Sequence, residues 1–198
     1  MSFFDNSKHV GLAIIIVGLI SLISAVIKVY EAWSDDSDLV VAALRAVAAI
    51  IFGLLMFLFG MKVAGGPNDK VAFLSGLIKV FGIAIILGAL FSAVAQWIET
   101  SSLGAGLLLL VATIIVGLIL LWVAAKISGK SKNIISKFLW LIVLVVFAIL
   151  AILSILNLIT SLTNSAWGDA LSYLCWIIIC IFAVVACLSP EVKKSMGI

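Results

Sequence analysis

Few side chains in this chain can do chemistry, and Arg45 is the first to weigh. It lies inside LVVAALRAVAAIIFGLLMFLFG, residues 39–60, a stretch otherwise free of charge. An ionisable group within a membrane span reads as a functional site by default, because charge in hydrocarbon is costly. The polar groups able to meet it are Glu31, Gln96, Glu99, Asn157, Ser161 and Tyr173, each near the matching end of its own apolar segment. These seven residues could line an outward-facing polar pocket that admits a solute or an ion. Each could equally hydrogen-bond across a helix pair as glue. Depth favours a structural role for Arg45. It stands six residues into its span, about 9 Å from the end at about 1.5 Å per residue, and a long side chain can snorkel much of that way. Lys28 and Lys79 sit at span ends and need no special role.

Other chemistry lacks its residues. The one histidine, His9, lies outside the apolar segments, so neither bis-histidine haem ligation nor an intramembrane histidine metal site can form. There is no GxSxG elbow, serine–lysine pair or paired intramembrane aspartate for nucleophilic hydrolysis, and no glycine loop for phosphate. The carboxylates of DDSD (35–38) lack the ligand spacing of a calcium loop. An enzyme acting on lipid would have to rely on carboxylates alone, such as Glu31, Glu99 and Asp169. No catalytic, cofactor-binding or metal-ligating residue is assigned, and no cofactor is expected. Cys175, Cys180 and Cys187 share one apolar segment, which suits small hydrophobes rather than a disulfide framework. Palmitoylation of Cys187 is the alternative.

The elements that must position these groups are membrane helices. Of the 198 residues 66% are hydrophobic and 11% charged, against about 45–50% and about 25% in a soluble domain. A span needs about 20 consecutive apolar residues. Six segments qualify: 10–30, 39–61, 77–98, 103–125, 138–162 and 171–188, the third with a lead-in from about Val71. Short polar breaks separate them, and GGPND in the second is a strong turn signal. The expected fold is an all-α polytopic bundle of six transmembrane helices in a single domain, 1–198. The first apolar run is too long for a signal-peptide core and has no small-x-small cleavage site, so it reads as a retained span.

Ten of the twelve basic residues fall on one side: Lys8, Lys62, Lys70, Lys79, Lys126, Lys130, Lys132, Lys137, Lys193 and Lys194. The positive-inside rule then puts both termini in the cytoplasm and the protein in the cell membrane. The other side is acidic, with Glu31, Asp35, Asp36, Asp38, Glu99 and Asp169. That surface keeps small loops soluble, or attracts cations. The edge lysines suit anionic lipid headgroups. They form no aromatic-interleaved stripe, so nucleic acid is not an expected partner.

The spans pair into hairpins, with pseudo-repeats over about 10–70, 71–133 and 134–198. AIIFGLLMFLFGMK (49–62) aligns with TIIVGLILLWVAAK (113–126) at an offset of 64, matching Gly53 to Gly117 and Lys62 to Lys126. Trp33, Trp97 and Trp167 recur as interfacial anchors, with Trp122 and Trp140 toward the inner side. The third hairpin has lost the glycines. Ala42, Ala46, Ala49, Gly53 and Gly60, then Gly106, Thr113, Gly117 and Ala124, and Gly11 with Gly18, mark packing seams. Small residues let helix backbones approach where no hydrophobic force drives association. All the units start and end on the same side, whereas midplane substrate sites more often come from inverted repeats.

VGLAIIIVGLI, FGIAIILGAL and AIIFGLL resemble units of the HdeD-like family of small six-span bacterial membrane proteins, a resemblance covering nearly the whole chain. The proline often found between the two helices of a family unit is missing here. The resemblance implies a membrane role linked to stress or acid tolerance, with no catalytic residue to carry over. The expected function is therefore non-enzymatic: structural, accessory or stress-related, through contacts with lipids, a second copy or a partner membrane protein. The alternative is a small transporter or channel with its pocket around Arg45.

Overall fold

A computed structural model describes residues 3–35, 38–129 and 134–198. Over them the chain forms a 3-10 turn at Phe3–Asp5 and seven helices: α1 (Ser7–Ser34), α2 (Leu39–Gly65), α3 (Lys70–Thr100), α4 (Leu103–Ser128), α5 (Ile134–Thr163), α6 (Trp167–Leu188) and α7 (Pro190–Ser195). The first six are long and apolar enough to cross a membrane. Asp36, Lys130 and Lys132, which contribute to the charge asymmetry, lie outside the described residues.

The helices overrun the apolar segments because their starting signals sit in the polar breaks. Asn6, Asp38, Asp69 and Ser102 each accept a hydrogen bond from a backbone N–H in the first turn that follows, satisfying amides that have no intrahelical partner. Asp69 accepts from Val71 and Ala72, both at 2.9 Å. The α2–α3 turn therefore ends directly in a cap, and α3 begins at Lys70, taking in the expected lead-in from about Val71. The short α7 was not expected. Ser189 caps it and Pro190 fills its first position, where a missing N–H has no consequence.

The strongest packing is within the sequential pairs α1–α2, α3–α4 and α5–α6. Helices α1, α2, α3 and α6 close a central ring, with α4 set mainly against α3 and α5 mainly against α6. Ile14, Met56, Leu77, Ile78, Ile179 and Cys180 are buried in the core. Aromatic rings fill its middle. Trp176 of α6 stacks on Phe81 of α3 at 5.2 Å and on Phe52 of α2 at 5.9 Å, and Phe81 meets Phe147 of α5 at 6.2 Å.

Two glycine pairs set the first two crossings. A Cβ at Gly18 would lie 2.8 Å from the Gly53 carbonyl oxygen, and one at Gly53 would lie 3.0 Å from that of Gly18. Gly82 and Gly117, each 64 residues further on, stand in the same reciprocal relation at 2.9 and 3.0 Å. Helix α5 contains no glycine, so the third crossing lacks this contact. The better-buried member also changes, from α1 and α3 in the first two pairs to α6 in the third.

The bundle has two distinct ends. Asp5 accepts from Lys70 Nζ at 3.0 Å, Ser7 donates to the Gly66 carbonyl at 3.0 Å, and Phe4 packs edge-on against Phe182. These contacts gather the N-terminus, the α2–α3 turn and the end of α6 at what we term the terminal end. The α1–α2, α3–α4 and α5–α6 turns lie at the opposite end.

Candidate functional site

The opposite end holds most of the polar residues expected to form a pocket, but they divide among separate structures. Arg45 on α2 pairs with Glu99 on α3, Nη2 to Oε2 at 2.5 Å. Their side chains are 52% and 47% exposed, so this is a surface ion pair bridging two helix ends. Gln96 lies one turn deeper on α3, half-buried, and its carbonyl accepts from the Thr100 hydroxyl. Asn157 is exposed on α5, Ser161 is buried on α5, and Tyr173 is half-buried on α6. Because α5 packs on α6 and not on α2, Asn157 and Ser161 belong to another part of the bundle from Arg45.

Glu31 is also engaged elsewhere. Helix α6 starts at Ala166–Trp167 with no side-chain cap of its own. The Glu31 carboxylate, from α1, accepts instead from the Gly168 N–H, at 3.1 Å to Oε1 and 3.3 Å to Oε2. Two further α1 residues complete this joint. Ser24 donates to the Gly168 carbonyl at 2.7 Å and shares a hydrogen bond with Ser172 at 2.7 Å. Lys28 pairs with Asp169 at 2.8 Å. Positions 24, 28 and 31 lie on one face of a helix, and that spacing was the available sequence signal. Lys28, which seemed to need no role, is part of the joint. Gly168 admits it: a Cβ there would meet Lys28 Cγ at 2.5 Å and the Lys28 backbone N at 3.0 Å.

The far end of α6 is served in the same manner. The Trp140 indole N–H, from α5, donates to the Cys187 carbonyl at 2.7 Å in the last turn of α6. Trp140 is thus a cap rather than an interfacial anchor. Trp33, Trp97, Trp122 and Trp167 are exposed, as anchors should be, and Lys126 lies 5.8 Å from the Trp122 ring centroid. All three cysteines are free and buried, and Cys187 is 0% exposed. Cys187 therefore offers no accessible thiol for palmitoylation.

Buried polar side chains are all serines among the described residues: Ser21, Ser24, Ser75, Ser154, Ser161 and Ser189. Ser21 reaches the Ala49 carbonyl, and Ser75 the Ala124 carbonyl at 2.9 Å. No buried side-chain nitrogen or oxygen lacks a partner among the described residues. No group of three or more metal-ligating side chains forms among them either.

The best-formed cavity lies at the terminal end, between α2 and α3, with a volume of about 510 Å³. Lys62, Lys70 and Lys79 line it, together with Leu58, Phe59 and Ile83. Sequence reasoning placed the pocket at the other end, because apolar residues of two helices do not reveal a gap between them. A shallow apolar depression near Trp33 and Ile50, on α1 and α2, is the second cavity. Arg45 lines neither. Comparisons with protein-family models, with curated proteins and with solved structures find no match.

Proposed function

We infer that this chain is a non-enzymatic multi-pass membrane protein, structural or accessory in role, acting through contacts with lipid and with other protein. The observation that carries this reading is the use made of polar groups within the spans. Ser21, Ser24 and Ser75 bond to neighbouring helices, Glu31 and Trp140 complete α6, and aromatic rings occupy the bundle centre. A solute path needs polar groups that water or solute can replace as partners, and every fully enclosed side-chain nitrogen and oxygen among the described residues already has a partner within the protein.

The outer surface supports the contact half of the reading. Helices α4 and α5 leave most of their length unburied. Asn157 is exposed on α5 six residues before its end. In lipid such an amide favours a partner across a helix interface, so a second copy or another membrane chain is the expected company. On the positive-inside rule the terminal end faces the cytoplasm, with Lys8, Lys62, Lys126, Lys137, Lys193 and Lys194 at that edge. The HdeD-like resemblance implies a stress-linked role, with no residue to transfer.

Two measurements test the reading. Native mass spectrometry of protein released gently from its membrane should find a defined oligomer or partner chain and no retained solute. Proteoliposomes should leak protons and small ions no faster than empty vesicles. Flux that disappears in Arg45→Leu, with folding intact, would replace this reading with the transporter.

A further inference from the structure

We propose that the cavity between α2 and α3 holds one anionic membrane phospholipid, its phosphate between Lys62 and Lys79 and an acyl chain against the apolar wall below. This deepens the lipid-contact reading and rests on it.

Charge is the first argument. Three lysines line the cavity, and two carboxylates stand near them, Asp69 in its wall and Asp5 beside it. Both carboxylates are engaged. Asp5 pairs with Lys70 at 3.0 Å, and Asp69 accepts from two backbone amides at the start of α3. Lys62 and Lys79 have no ion-pair partner among the described residues. They come from the two facing helices, Lys62 three residues before the end of α2 and Lys79 nine residues into α3, within reach of the terminal end for a long side chain.

The second argument is the order of the lining along the helix axes. Helix α2 runs toward the terminal end, so Leu58 and Leu55 lie deeper than Lys62. Helix α3 runs away from it, so Val80 and Ile83 lie deeper than Lys79. All four line the cavity. Each lysine therefore has apolar wall on its inner side, as a phospholipid has chain below its headgroup, and a free phosphate would use only the lysines. The volume falls within the range of about 300–1,000 Å³ typical of ligand sites. Leu58 is 56% exposed, so the floor opens sideways, where lipid chains lie.

The test uses the full-length protein in mixed-lipid nanodiscs, with native mass spectrometry counting retained lipid. The probes are a phosphatidylglycerol and a phosphatidylcholine of equal chain length. Wild type should keep the anionic lipid in preference. Each lysine near an anionic surface is worth about 1 kcal/mol, so the double variant K62Q/K79Q should lower that retention by about 30-fold. K193Q/K194Q removes the same charge at the same end and should keep it. Leu58→Trp should reduce retention with both lysines present. Equal retention of the two lipids by wild type, unchanged retention in K62Q/K79Q, or an equal loss in K193Q/K194Q would each overturn the proposal. So would displacement of the lipid by inorganic phosphate at millimolar concentration, which would assign the lysines to the free anion. Should K62Q/K79Q fail to fold, selective thermal stabilisation of wild type by a short-chain phosphatidylglycerol decides, and its absence counts against the site. Ion flux in proteoliposomes would sink the accessory reading and leave lipid retention untouched. Loss of anionic preference would sink only this inference.

Discussion

Removing Glu31 tests whether α6 depends on a cap supplied by α1. The carboxylate does two things at Gly168. It accepts an N–H that α6 cannot otherwise satisfy, and it places negative charge at the positive end of the helix. Loss of a side-chain N-cap costs about 1 kcal/mol, and the charge contributes about 0.3–1 kcal/mol more. Glu31→Ala loses both, for about 1.5 kcal/mol. Glu31→Gln keeps an acceptor oxygen and loses only the charge, for about 0.5 kcal/mol by the same term. Gly168→Ala attacks the joint sterically, since its Cβ would meet Lys28 Cγ at 2.5 Å and Glu31 Oε2 at 2.9 Å. Overpacking of this kind costs about 1–3 kcal/mol. Because both changes break one contact, the E31A/G168A double variant should cost less than the sum of its parts. Unfolding in mixed micelles, titrated with a denaturing detergent and followed by circular dichroism, reads all four. If Glu31→Ala were no worse than Glu31→Gln, or if the double variant were additive, the capping argument would fail.

Other outcomes follow from the same contacts. Gly82→Ala should cost about 1–3 kcal/mol because its Cβ meets the Gly117 carbonyl at 2.9 Å; Gly65→Ala, with nothing within 4 Å, should be neutral or stabilising by about 0.4–1 kcal/mol, and equal effects in the micelle assay would contradict this. Trp140→Phe keeps most of the ring but leaves the Cys187 carbonyl without its donor, so unfolding should become easier by about 1–3 kcal/mol; wild-type stability would show that another group takes over. Arg45→Leu and Glu99→Gln break an exposed pair and should each shift stability by no more than about 1 kcal/mol; a larger loss would mean that the pair is desolvated in the membrane.

Six helices were legible in the sequence because hydrophobic length is a one-dimensional property. Gly18, Gly53 and Gly117 were also legible as packing-seam positions, since small residues let two backbones touch. The grouping of polar residues was not. Glu99 was legible as one of two carboxylates, with Glu31, that Arg45 could meet, because all three lie near the same end, and Glu99 is the one it pairs with. Glu31 also lies at that end, and end alone cannot say which neighbour it meets. Its partner is a backbone N–H, invisible as a side chain, on a helix 137 residues away. The lysine-rimmed cavity was hidden for a related reason. Lys62 closes one apolar segment and Lys79 stands near the start of the next, and only the packing of α2 and α3 puts both on one cavity.

Helix α6 takes its donor and its acceptor at the two ends from helices that precede it in the chain. During membrane insertion it therefore arrives unfinished, and only α1 and α5 already in place can complete it. A chain arrested before α6 would leave the Glu31 carboxylate and the Trp140 indole without their backbone partners. Both are hydrogen-bonding vacancies that stay open until the last long helix docks. Insertion of α6 removes both at once, so this helix acts as the latch that closes the fold.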